Sequence, residues 1–356
     1  MKILVVGDGY SEIHERAVAE AFSKLGHHVE VFYWHKYFNK RNFIARQWLR
    51  GQNKFVWGPQ IYKLNRDLKG KADHFEPDLI FIYRGTHITA ATISKIKQSI
   101  PKCQIFSYNN DDPFAPGHPP WLWRHFLKAV PEYDLMFAYR HHNLEQYRNV
   151  GARQVELLRS WFVPWINHTV SMTKDDMDCY GCDVVFIGHY EHDQRVALLE
   201  YITRRGWRLR LFGPGYDWDP VISRSPDLAG QIPVRLVWGD DYNRALCGAR
   251  VALCFLSKLN RDTYTRRCFE IPATRTLMIS EYTEDLASLF REGEEADFFR
   301  TPEEMMAKIE CYLTDEPRLQ AVAEAGFRRV HTDGHDVVSR MRQVLAWMAD
   351  MQEDKP

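Results

Sequence analysis

Three groups of residues in this chain have types and spacings that could carry chemistry. Arg267 and Glu270 stand three residues apart in Arg267-Cys268-Phe269-Glu270, so on a helix they share a face. A carboxylate on the first turns of such a helix can reach a ribose. A nearby arginine fork suits diphosphate oxygens, and Thr265 with the N–H groups of the helix start can add donors. Arg266 is the neighbour with which Arg267 could exchange roles. The plainer reading of Glu270 is a carboxylate that complements the helix dipole. The second group is Asn109-Asn110-Asp111-Asp112-Pro113, at the end of an apolar run. Asp112 or Asp111 could take a hydroxyl proton as general base or hold a sugar hydroxyl, against the plainer reading of an Asp-Pro turn. The third is Gly7-Asp8-Gly9-Tyr10. Its glycines let backbone N–H groups approach an oxyanion at a helix start, so Gly9 and Tyr10 read as an acceptor or phosphate loop; a tight βα turn is the alternative. A dinucleotide fingerprint is excluded, because Glu12 stands where the third glycine belongs and Trp34-His35, not an acid, close the next strand.

Other clusters point elsewhere or nowhere. Cys179-x-x-Cys182 has no second pair at zinc spacing, and seven scattered cysteines make no disulfide framework. Eleven of the fifteen histidines precede position 170 without HExxH-like spacing, and His141-His142 point apart on a helix. The net charge of zero hides an asymmetry: residues 1–170 carry 23 Lys+Arg against 15 Asp+Glu, and residues 171–356 carry 24 against 32. The surplus concentrates in 36–71, which has ten basic residues, one acid (Asp67) and seven interleaved aromatics, Tyr37, Phe38, Phe43, Trp48, Phe55, Trp57 and Tyr62. Cations with aromatics suit an anionic membrane surface or a polyanionic acceptor; a solvated face whose aromatics are core is the alternative. No nucleic-acid motif accompanies the patch, so nucleic acid is not an expected partner.

These residues need elements to position them. At 356 residues, 45% hydrophobic and 13% aromatic, the chain is globular and long enough for two domains. Strands are expected at Lys2–Val6, His28–Trp34, Asp78–Tyr83, Cys103–Tyr108 and Asp134–Ala138, with helical patterns between them, the first from Ser11 to Leu25. After the Pro/Trp-rich connection Trp161–Asn167 the series restarts at Val184–Ile187, Arg208–Phe212, Val251–Phe255, Leu277–Ser280 and Ala296–Phe299. Alternation of this kind predicts an α/β protein with two parallel, doubly wound sheets. No apolar run reaches the ~20 residues of a membrane span, so the expected location is cytoplasmic, with possible peripheral contact at the inner membrane face through 36–71.

The stretch from Asp262 to Val330 resembles the C-terminal domain of group 1 glycosyltransferases, and within them the spore-maturation-protein-like branch. The resemblance rests on Arg267-Cys268-Phe269-Glu270 with Ala273, then Leu313, Ala323-Glu324-Ala325-Gly326 and Arg329-Val330. Asp183–Arg195, Leu209–Gly213, Asn109–Pro113 and Tyr133–Gly151 also fit. The resemblance implies the GT-B fold, two Rossmann-like domains facing across a cleft: residues 1–165 as acceptor domain, 180–334 as nucleotide-sugar donor domain, and 335–356 as a helix crossing back to the first domain. It implies that Gly188 and Arg195 approach the donor diphosphate, and that Gly213 and Trp238 sit where a base pocket is built; a buried packing role for Trp238 is the alternative. Its usual Glu-x7-Glu pair becomes Asp262-x7-Glu270 here, and Arg275 replaces a frequent Gly. Asp111-Asp112 could also suggest the metal motif of GT-A enzymes, but it lies in the half away from the diphosphate, so no metal and no cofactor are expected. The function implied is transfer of a sugar from a nucleoside diphosphate sugar, UDP or GDP type, to a polysaccharide, lipid-linked or protein acceptor, metal-independent and retaining. A sugar-nucleotide epimerase, a phosphorylase and a sugar-nucleotide-binding module without transferase activity are the alternatives.

Overall fold

The structure is a computed structural model, and it describes residues 1–39 and 42–353. Six strands form the first sheet: β1 (Lys2–Gly7), β2 (His28–Tyr33), β3 (Leu79–Tyr83), β4 (Gln104–Asn109), β5 (Leu135–Ala138) and β6 (Val155–Leu157), in the order β2-β1-β3-β4-β5-β6. The second sheet holds β7 (Cys182–Ile187), β8 (Leu209–Phe212), β9 (Ala249–Cys254), β10 (Leu277–Glu281) and β11 (Asp297–Phe299), ordered β11-β10-β9-β7-β8. Every neighbouring pair is parallel. Parallel strands covered by helices on both faces must be apolar throughout, and Ile3–Val6, Leu79–Ile82 and Val184–Phe186 are fully buried.

The chain divides into two compact units, Met1–Ser160 with Val337–Pro356, and Trp161–Asp336. In the first, the last helix, Val337–Glu353, lies on the helix Glu15–Lys24; it buries Val337, Met341 and Val344 and sets Trp347 against Phe137, ring centroids 5.3 Å apart.

Each sheet reverses its direction of winding once. In the first unit the reversal lies between β1 and β3, in register as Val6 opposite Ile82. In the second it lies between β7 and β9, with Phe186 opposite Leu253. Beyond the carboxyl ends of the strands, such a switch point leaves a crevice where open α/β sheets bind ligands.

The ten expected strands are present within a residue or two, with helices between them. Two differences have physical causes. β6 has only three residues at the sheet edge, too few to show a periodicity. The first helix begins at Glu15, not Ser11: Glu15 turns back to accept the Gly9 N–H at 2.5 Å, which keeps residues 10–14 out of the helix. Among the described residues no helix is long and apolar enough to cross a membrane.

Candidate functional site

In the second unit the site grows from the ends of β7 and β8. Gly188 follows β7; its N–H donates to the Phe212 carbonyl at 2.9 Å and its own carbonyl accepts from Trp218 Nε1 at 2.8 Å. A Cβ on Gly188 would lie 2.8 Å from Phe186 Cζ and 3.2 Å from Arg267 Nη1, and one on Gly213 would lie 2.2 Å from the Gly188 carbonyl oxygen. Two bare backbones therefore meet beyond the ends of β7 and β8, and the Arg267 guanidinium rests against one of them. Arg267 opens the helix Arg267–Ala273 and is half-buried. Burial works against its charge, but Cys254, Tyr242 and Glu270 around it hold the guanidinium above its ordinary value.

Glu270 sits one turn on, 2% exposed. Its Oε1 lies 2.7 Å from Arg266 Nε, and its Oε2 accepts the Tyr242 hydroxyl at 2.9 Å. The carboxylate is thus buried and oriented, its desolvation offset by the Arg266 cation and the Tyr242 hydroxyl donor. Burial, then the Glu270 charge, pushes the Tyr242 hydroxyl well above its usual range. Arg266 is paired with Glu270 while Arg267 faces Gly188. Tyr242, on the helix Asp240–Cys247, was not legible; its only sequence signal was its nearness to Trp238-Gly239.

The other expected donor residues are placed as follows. Arg195 is 3% exposed. Its Nε and Nη2 donate to the two oxygens of Asp193 at 2.8 and 2.7 Å, and Nη1 donates to the His189 carbonyl at 2.6 Å. It fixes the 188–195 loop and presents no free fork. Burial alone would raise Asp193, but the Arg195 hydrogen bonds win and its carboxyl lies low. Thr265 is half-buried, and its carbonyl accepts the Cys268 N–H at 3.0 Å. Asp262 borders a pocket of about 260 Å³ with Lys258 and Arg300. Trp238 is 66% exposed, so it is not a packing residue; Gly239 after it takes a φ of 54°, the left-handed region that favours glycine. A pocket of about 500 Å³ lies alongside, between Tyr180, Phe212, Arg235 and Val237.

The first unit holds the rest. Asp112 is fully buried. Its Oδ1 accepts from Phe114 N–H and Asn143 Nδ2, both at 3.0 Å, and its Oδ2 lies 3.2 Å from His142 Nε2. This geometry makes it a turn anchor and gives it no surface from which to take a proton. Asp111 keeps 20% of its side chain exposed and pairs with Arg84 at 2.5 Å. His142 turns to Asp112 while His141 meets Arg159 at 2.9 Å, so the histidines do point apart.

The glycine loop corrects the sequence reading most clearly. Gly9, with a φ of 80°, would set a Cβ 2.4 Å from Tyr33 Cβ, so it must be glycine. Its N–H, however, is already taken by Glu15. With that N–H engaged by Glu15, Gly9 offers no free donor to a phosphate in this structure. Tyr10 is 83% exposed, its N–H donates to Asp8 Oδ1 at 2.7 Å, and it borders the pocket at the β1/β3 switch point. Burial, then the charge of Asp8, pushes the Glu15 carboxyl up to about 8.

Across the loop, at the β1/β3 switch point, opens a pocket of about 550 Å³ that includes Asp8, Arg46, Arg50, Lys54, Arg84 and His87. The basic segment divides there. Phe38 is buried, but Phe43, Trp48, Phe55, Trp57 and Tyr62 are 49–75% exposed, so most of its aromatics are not core. Lys40 and Arg41 lie outside the described residues. Among the described residues no group of three or more His, Cys, Asp or Glu side chains is gathered as a metal site.

Residues 194–346 match the model of a family described as glycosyl transferase-like. No curated protein matches the chain. Similar solved structures include the HepE protein of Anabaena in complex with UDP-glucose (TM-score 0.66, 12% identity, 98% of this chain and 100% of that one). They include sucrose-phosphate synthase from Thermosynechococcus elongatus (TM-score 0.69, 12% identity, 99% and 100%) and a glycosyltransferase from Rickettsia africae (TM-score 0.70, 11% identity, 99% of each chain). The likeness runs through nearly the whole of each chain, and the fold is GT-B, built of two Rossmann-like parallel-sheet domains.

Proposed function

We propose that this protein is a glycosyltransferase that takes a sugar from a nucleoside diphosphate donor of the UDP type. The observation that carries the reading is the constellation at the β7/β9 switch point, where Arg267 rests on the bare backbone of Gly188 and Glu270 is fixed by Arg266 and Tyr242. A guanidinium beside a glycine turn suits a diphosphate, because no side chain keeps the phosphates from its fork. An oriented carboxylate one turn away suits ribose hydroxyls, which donate to it. The match of 194–346 to a glycosyl transferase-like family and the UDP-glucose bound by the HepE protein favour the same donor class.

In this reading Arg267 stabilises the diphosphate as it leaves, without a divalent cation. Arg195 acts through the loop it braces, Gly213 supports the turn at Gly188, and Trp238 is the exposed ring available to a base. Asp111 is the carboxylate of the first domain nearer to solvent, while Asp112 holds its turn. The acceptor is a saccharide, lipid-linked or protein group, transfer is retaining, and the chain falls in the spore-maturation-protein-like branch.

The exposed stripe on the helix Phe43–Phe55 favours peripheral membrane contact as well. Ile44, Trp48 and Phe55 recur at helical spacing, Trp57 continues the line, and all are 49–79% exposed. Exposed aromatic and aliphatic side chains along one helix face suit the headgroup region of a membrane.

The test is a panel of UDP- and GDP-sugars in excess EDTA, with nucleotide release followed with and without saccharide acceptors. Acceptor-dependent UDP release supports the proposal. Release that needs added Mg²⁺ or Mn²⁺ removes the metal-independent mechanism; epimerised donor without release makes the protein an epimerase; no turnover and no donor binding overturn the reading.

A further inference from the structure

We propose that the pocket at the β1/β3 switch point of the first unit is an anion seat that binds the phosphate group of a phosphorylated saccharide, the acceptor side of the reaction proposed above. The inference rests on that reading for its role, but the binding itself does not.

The pocket has the position, the size and the chemistry for this. It lies beyond the carboxyl ends of the two strands between which the sheet reverses its winding, where α/β sheets hold ligands. At about 550 Å³ it falls within the range of small-molecule sites. One wall is the helix Phe43–Phe55, whose Arg46, Arg50 and Lys54 recur every four residues and so line one face. Arg84 stands among the other lining residues. The Nε–H groups of Arg46 and Arg84 are buried and meet no acceptor among the described residues. Buried donors without an acceptor are costly, and a phosphate oxygen is an acceptor suited to a guanidinium. Of the acids nearby, Asp111 pairs with Arg84 and Asp8 accepts the Tyr10 N–H. Arg46, Arg50 and Lys54 have no carboxylate partner among the described residues.

Much of the rest of the lining is aromatic, amide or hydroxyl, as Trp34, Phe38, Asn53 and Thr86, and suits a sugar. His87 is held neutral: burial first, then the charge of Arg84, pushes its imidazole down to about 3. It accepts from Thr86 Oγ1 at Nδ1 and donates from Nε2 to Asn53 Oδ1, both at 2.8 Å. Its ring lies 5.4 Å from Trp34 and 5.3 Å from Phe38, an aromatic floor beneath the cations. The turn that brings Thr86 and His87 here is strained: Arg84 and Gly85 take φ values of 66° and 58° in succession. A non-glycine residue in that region persists when surrounding structure over-determines it, and such residues cluster at ligand sites. The Arg84–Asp111 pair and the Arg84 N–H donated to the Tyr108 carbonyl at 2.7 Å supply that constraint here.

The phosphate can come from a soluble sugar phosphate or from a lipid-linked one, and two arms of one experiment separate them. In the first, glucose 6-phosphate and glucose are titrated by calorimetry into the full chain saturated with UDP. The expected result is binding of glucose 6-phosphate at least tenfold tighter than glucose, weakened by raising the salt from 50 to 200 mM. In the second, the protein is sedimented with phosphatidylcholine vesicles with and without phosphatidic acid. Both arms are repeated with the double variant Arg46→Ala/Arg50→Ala and with Lys54→Ala, each checked for an unchanged melting temperature. Loss of phosphate preference in either arm on these substitutions, with UDP affinity unchanged, supports the seat and identifies its source. Equal binding of glucose and glucose 6-phosphate, together with vesicle binding indifferent to phosphatidic acid or to the substitutions, overturns it. A wild-type protein that binds glucose 6-phosphate but not UDP keeps the seat and removes the donor reading instead.

Discussion

Glu15→Gln is expected to stabilise the protein at alkaline pH and to flatten its dependence of stability on pH. Glu15 is 1% exposed, and burial with the Asp8 charge raises its carboxyl from 4.5 to about 8. In the unfolded chain it returns to the ordinary value. Between these two values the folded protein keeps a proton that the unfolded chain has lost. The stability held by the neutral acid is therefore fully present below about 4.5 and is lost as the pH rises to about 8, by about 1.4 kcal/mol per pH unit within that window. From pH 6 to pH 8 the wild type should lose roughly 2 kcal/mol relative to the variant. Glutamine leaves an oxygen to accept the Gly9 N–H and carries no charge to desolvate. The assay is urea unfolding of both proteins at pH 6, 7 and 8; titrations shared by the two cancel in the difference. Parallel loss of stability in wild type and variant would refute the argument that an ionising carboxyl lies under the Gly7–Gly9 loop.

Three further outcomes are expected. Glu270→Gln keeps the Tyr242 hydrogen bond but breaks the Arg266 pair, so UDP affinity should fall by about 1.5–3 kcal/mol; unchanged affinity by calorimetry would remove Glu270 from the donor site. Gly188→Ala forces a Cβ to 2.8 Å from Phe186 Cζ and 3.2 Å from Arg267 Nη1, so thermal unfolding should show a loss of about 1–3 kcal/mol and UDP binding should weaken with it. Trp48→Ala/Trp57→Ala removes two rings that are each 62% exposed; association with anionic vesicles should drop while the melting temperature stays put, and full retention of vesicle binding would sink the membrane proposal.

The alternation of strands and helices was readable because it is local. A parallel strand covered on both faces has to be apolar along its length, and KILVV, LIFIY and DVVFI announce themselves without reference to anything distant. The helical spacing of Arg267 and Glu270 was readable for the same reason, but that Glu270 pairs with Arg266 and Tyr242 while Arg267 rests against Gly188 was not. Sequence order also placed the glycines at strand ends, where Gly188 and Gly213 now touch.

What each charged group faces was decided elsewhere. Nothing in the spacing of Gly7-x-Gly9 shows that Glu15 will take the Gly9 N–H, because that depends on residues 10–14 turning back before the helix begins. Asp111 and Asp112 are adjacent in sequence, yet one pairs with Arg84 and the other is sealed by Asn143 and His142, partners about 30 residues away in either direction. The basic segment read as one surface; folding aims Arg46, Arg50 and Lys54 into a pocket and leaves Ile44, Trp48 and Phe55 on a different face of the same helix. Hydrophobic periodicity fixes which face of an element is buried. The choice of partner for a buried charge is made by whichever donor or acceptor a distant segment delivers, since an unpaired charge is too costly to leave in place, and that delivery exists only in the tertiary structure.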